Sequence, residues 1–189
     1  MDTLTNFDLI GYAKELGIKN FKGVFMKDEL NKQIGKNECG IINLQNSNQD
    51  GSHWICYYKN KTEKYYFDSY GLDPPNEVLK YLKPTKNSSP LIISTYQIQN
   101  FGSVICGQLC LYVLFMLGSG YKFLDIITRL VTKVTAERVA LFPEYSPELF
   151  NNKLGAGLLT DLIPKDFKLG MSDGDINAID DVATIAELI

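Results

Sequence analysis

At 189 residues and 21.3 kDa, with 45% hydrophobic and 12% aromatic residues, the chain can bury a full core and is most economically one compact domain. A charged fraction of 22%, a mean hydropathy of -0.09 and a net charge of -3 argue against wholesale disorder and against a protein that wraps nucleic acid through a global positive field. Cys39, Cys56, Cys106 and Cys110 are too few for a disulfide scaffold, so free thiols in a reducing, intracellular compartment are expected.

Leu9, Tyr12, Ala13 and Leu16 recur at helical spacing and predict an amphipathic helix over 8–16, with Thr5 or Asn6 as cap and Gly17 as stop. A loop containing Gly and Lys follows. Three short runs with β character, 40–44, 53–58 and 64–68, are separated by Asn, Ser, Gly and Lys clusters and predict antiparallel strands. Pro74-Pro75 breaks the chain, Asn76 caps a short helix through Leu82, and Pro84 and Pro90 delimit a loop leading to a strand over 91–94.

From Cys106 to Leu117 the chain is nearly all apolar and stops at Gly118-Ser119-Gly120, which predicts a central helix buried on most sides. Further helices are expected over 122–133, over 147–154 with Ser146 as cap, and near the C-terminus. The longest apolar stretch, 109–117, is about half of the ~20 residues a bilayer requires, and no basic region precedes a hydrophobic start, so neither a membrane span nor a signal peptide is expected. Together these elements give an α+β domain over 1–171. The acidic segment 172–189 either docks as a last helix along Ile176, Ile179, Val182 and Ile185 or hangs as a tail.

His53 is the only histidine, so any imidazole chemistry must use it; it starts an apparent strand right after a polar loop, where a side chain can reach a cleft. Cys106 lies where a loop turns into the apolar helix, and a helix N-terminus and a neighbouring imidazolium both favour a nucleophilic thiolate. Gly107 beside it permits close approach of a substrate backbone. Asp68 ends an aromatic strand and can receive the ring N–H of His53. Gln99 and Gln97 both precede Cys106 on a strand-like run, and either amide can join the Cys106 backbone N–H in an oxyanion hole. Each position also has a structural reading: a core histidine, a small buried cysteine, a turn-forming aspartate. Cys39, Cys56 and Cys110 read as core.

No cofactor is expected. His53 with Cys56 and Cys106 with Cys110 look like metal-ligand pairs, but residues three apart on a strand point to opposite faces, which argues against zinc. Lys59, Lys61, Lys64, Lys80, Lys83 and Lys86 outnumber the acids between them and form a candidate basic face for weak DNA contact, or simply a solvated surface. A monomer is expected.

The order Gly-Ser-His-Trp, then Tyr-Phe-Asp-Ser-Tyr-Gly, then Gln-x6-Cys-Gly-x2-Cys resembles the adenovirus maturation protease (adenain) family and its relatives in virophages and Maverick-type elements, with Ulp-type SUMO proteases further off. The likeness runs from about Asp8 to Leu117 and includes the 13–17 and 21–25 stretches. It implies a papain-like fold with a mixed or antiparallel sheet against the helix that starts at the nucleophile. It further implies His53, Asp68 and Cys106 as catalytic triad, Gln99 over Gln97 by its seven-residue spacing, and Trp54 packed beside the imidazole. The implied activity is cleavage of viral capsid or core precursors at glycine-containing sites during virion maturation, in virions and the cytoplasmic factories of infected cells. Asp68 stands where the adenovirus enzyme has Glu, and no cysteine lies near Ser88 for a covalently attached activating peptide. Leu154-Gly155-Ala156-Gly157-Leu158 resembles a cleavage site of such proteases and suggests self-cleavage after Gly157, against a plain helix-ending loop. The same triad order also serves deconjugating proteases for ubiquitin-like modifiers and acetyltransferases using acetyl-CoA. A non-catalytic capsid component is the reading from another class.

Overall fold

The computed structural model describes residues 4–30, 34–82, 90–99 and 103–141. The helix expected over 147–154, the Gly155–Gly157 stretch, the 172–189 segment, Lys83 and Lys86 lie outside the described residues.

Helix α1 (Asn6–Glu15) begins where Thr5 and Asp8 cap each other reciprocally: the Asp8 N–H donates to Thr5 Oγ1 at 3.3 Å and the Thr5 N–H to Asp8 Oδ2 at 2.8 Å. Gly17, at φ +61°, ends it. Strands β1 (Phe21–Met26), β2 (Glu38–Asn43), β3 (Trp54–Lys59), β4 (Lys64–Phe67) and β5 (Leu91–Ile93) form a mixed sheet in sequential order. The central β2-β3-β4 meander is antiparallel, as expected, whereas β1 runs parallel to β2 and β5 parallel to β4. Strand β1 falls where the sequence predicts a loop. Its Phe-Lys-Gly-Val-Phe-Met run leaves five of its six residues half-buried, so it lacks the alternation that betrays a one-faced strand.

Period-two alternation sorts the side chains of the meander onto two faces. Cys39, Ile41, Trp54, Cys56, Tyr65 and Phe67 enter one core with α1, α3 (Cys106–Gly118) and α4 (Phe123–Leu141). Ile42, Ile55, Tyr57 and Tyr66 meet Val78, Tyr81 and Leu82 of α2 (Asn76–Leu82) on the other. Because α3 is apolar all round, it is buried on almost every side, and Leu111, Val113, Leu114 and Met116 are fully enclosed. Helix α4 continues past the expected stop at residue 133, since no Gly or Pro interrupts it before Pro143.

Two expectations are corrected by this packing. A Cβ built on Gly107 would meet Leu9 Cδ2 at 3.0 Å and Trp54 Cδ1 at 3.4 Å, so the glycine seats α1 and Trp54 against α3 and does not open a path for substrate. Lys64 is only 1% exposed: the register of β4 puts it on the α2 face, where its Nζ donates to the Leu82 carbonyl at 3.3 Å and closes the C-terminus of α2. It therefore leaves the candidate basic face, of which Lys61 and Lys80 are exposed and Lys59 is partly so.

Candidate active site

The antiparallel register pairs Cys56 with Phe67, so the residues just before β3 and just after β4 meet at one end of the meander. There His53 Nε2 lies 2.8 Å from Asp68 Oδ1, both side chains being buried. The carboxylate accepts the ring N–H, which leaves Nδ1 as the nitrogen facing Cys106. Asp68 Oδ1 also accepts the Tyr70 N–H at 2.7 Å, while Oδ2 has no partner among the described residues. The ring stacked on the imidazole is Tyr70, with centroids 4.5 Å apart and planes at 26°. Trp54, expected in that place, turns toward α1 and α3 and donates its indole N–H to the Leu4 carbonyl at 3.1 Å.

Cys106 is the first residue of α3, 4% exposed, with no side chain capping the helix start. The thiol is thus left at the positive end of the helix dipole. Burial pulls the His53 pKa down, but hydrogen bonds to Asp68 and to Cys106, and the charges of both, outweigh it and raise the value to about 9. The ring is then an imidazolium at neutral pH. The other thiols face different surroundings: burial pushes Cys39 up to about 12 and Cys110 well above its ordinary value. All four cysteines are free.

Gln99, 1% exposed, approaches from the segment after β5. Its Nε2 donates to the Ser103 carbonyl at 2.7 Å, in the loop that delivers Cys106, and to the Tyr70 hydroxyl at 3.4 Å. Gln97 is exposed and spends its amide on the Gln99 carbonyl at 3.1 Å. Of the two glutamines left open by the residues themselves, the structure brings Gln99 to the cysteine loop. Ser69 and Tyr70 are not among the site residues expected from the sequence; nothing in their types alone signals the contacts they make.

A cavity of about 590 Å³ runs between the 47–52 loop, β1 and the start of α1, lined by Leu4, Met26, Asn43, Ser52 and Trp54 among others. Among the described residues no group of three His, Cys, Asp or Glu side chains is placed to hold a metal ion, and no helix is long and apolar enough to cross a membrane.

No family model matches the sequence, and no curated protein does. Among solved structures, the crystal structure of ASFV pS273R protease is similar, with a TM-score of 0.51 and 15% identity over 66% of this chain. The match spans 61% of that structure's chain, so more than a third of it has no counterpart here. At this identity the likeness is one of fold: the α+β architecture, with its mixed sheet and a helix entering after the strands at Cys106, is similar to that of the ASFV protease.

Proposed function

We propose that the chain is a viral cysteine endopeptidase of adenain type, cleaving capsid or core precursors at glycine-containing sites during virion maturation. The observation that carries the reading is the meeting of the sole imidazole with Asp68 on one side and Cys106 on the other, at the head of a buried helix. The fold shared with a viral protease and the chain order of the three motifs support it.

In this mechanism His53 holds the proton of Cys106, and the thiolate attacks the scissile carbonyl. The oxyanion is received by the Cys106 N–H and by Gln99 Nε2, whose 3.4 Å bond to Tyr70 is long enough to be given up. The imidazolium then protonates the leaving amine, and a water activated by His53 hydrolyses the thioester. Asp68 keeps the ring in the orientation and tautomer that this requires. Action takes place in virions and infected-cell factories, and weak DNA contact falls to Lys59, Lys61 and Lys80 among the described lysines.

Co-expression with the capsid precursor of the same virus tests the proposal. Processing is expected with the wild type and absent with Cys106→Ala; processing by both would remove the assignment. Cleavage of SUMO or ubiquitin fluorogenic substrates in place of the precursor would move the protein to the deconjugating class.

A further inference from the structure

Asp68, Ser69 and Tyr70 are consecutive, yet their side chains serve different parts of the site. Ser69 is fully buried and its hydroxyl donates to Gln99 Oε1 at 2.6 Å. Its carbonyl accepts two further bonds, from the Ile98 and Gln99 N–H groups, each at 2.8 Å. Gly71, at φ +72°, lets the 94–99 segment come this close, because a Cβ there would lie 2.7 Å from the Thr95 carbonyl oxygen.

The amide of Gln99 can sit in its pocket in two ways that differ by exchange of its oxygen and nitrogen. Only one supplies an N–H toward the cysteine loop. The Ser103 carbonyl can only accept, so nitrogen belongs on that side, and the Ser69 hydroxyl then donates to the oxygen on the other. Without that hydroxyl, Oε1 would be a buried acceptor with its partner removed, and the amide would lose what fixes its orientation.

Resting on the protease reading, we infer that Ser69 is a positioning residue of the oxyanion hole, holding the Gln99 amide so that Nε2 faces the reacting carbonyl. The residue after the triad acid thus sets the electrophilic side of the site, while the acid sets the basic side. Ser69 touches no reacting atom, and its role is exerted through Gln99.

The experiment uses the full chain and benzyloxycarbonyl-glycine p-nitrophenyl ester, following the acylation burst of p-nitrophenol. Iodoacetamide alkylation of Cys106, a displacement that develops no oxyanion, serves as the parallel readout. Ser69→Ala is expected to slow acylation about 10- to 100-fold with KM near wild type, and to leave the alkylation rate near wild type. In the Gln99→Ala background, adding Ser69→Ala should change acylation no further.

Wild-type acylation by Ser69→Ala would overturn the inference. So would independent, multiplying losses in the double variant, or alkylation falling in step with acylation. If circular dichroism shows Ser69→Ala unfolded, Ser69→Cys replaces it, similar in shape but a weak donor, under the same criteria. Should wild type release no more p-nitrophenol than Cys106→Ala, the protease reading fails and the inference with it; loss confined to the coupling between Ser69 and Gln99 sinks the inference alone.

Discussion

Two carboxylates are buried at opposite ends of the same three strands, and they are treated differently. Glu38 opens β2, where its Oε1 accepts the hydroxyls of Tyr57, at 2.9 Å, and Tyr81, and its Oε2 accepts the Gly35 N–H at 2.6 Å. Asp68, just past β4, has one oxygen shared between an imidazole and a backbone N–H, and another with no partner among the described residues. The first ties α2 to the sheet through phenols that burial and the neighbouring charge hold un-ionised, Tyr81 being raised above its ordinary value by both. The second faces the chain's only imidazole, whose pairing raises it to about 9. A buried charge with filled lone pairs is a staple, and one whose partner can gain or lose a proton is machinery.

The sharpest way to break this contrast is to delete the machinery. His53→Ala or Cys106→Ala is expected to lower kcat/KM by at least about 10⁴-fold with the melting temperature little changed. Asp68→Asn should cost about 10²- to 10⁴-fold, because the amide can present its N–H to the ring and favour the wrong tautomer. At the other end, Glu38→Ala should leave kcat/KM near wild type well below the melting temperature. Removing the acceptor shared by two buried hydroxyls should instead lower stability by about 1–3 kcal/mol, read from urea unfolding.

The smallest effect is a shift in pH dependence. His53 is held at about 9, above its ordinary 6.5, so the stabilisation from its pairing is fully present below about pH 6.5 and is lost as pH rises through about 9. The alkaline limb of kcat/KM should fall in the same range, since loss of the ring proton removes the acid for the leaving amine. Asp68→Asn should move that limb downward; an unmoved limb would separate the limb from this histidine.

Local chemistry was well written in the sequence. Thr5 and the spacing of Leu9 and Ala13 announced α1, and the apolar run ending in Gly118-Ser119-Gly120 announced α3, because capping and all-round burial depend on residues close in sequence. His53 and Asp68 were legible for a related reason: a hairpin register fixes which residues meet. What stayed hidden depends on residues far apart in the chain. That β1 and β5 pair parallel is decided by crossovers, and that Trp54 turns to Leu4 while Tyr70 takes the imidazole is decided by where α1 docks. Lys64 misled because a lysine's type suggests solvent, while strand parity sent it beneath α2.

The order of the strands carries a kinetic consequence. The β2-β3-β4 meander closes through short loops, whereas β1 and β5 must be recruited across longer separations, Phe21 to Cys39 and Lys64 to Leu91 among them. The histidine and its acid, 15 residues apart, belong to the early-closing part; the sulfur arrives only when α3 docks. During refolding the imidazole–carboxylate pair is therefore expected to assemble ahead of the helix that carries Cys106, so that, on the proposed reading, a half-built chain holds a paired imidazole with no thiol beside it.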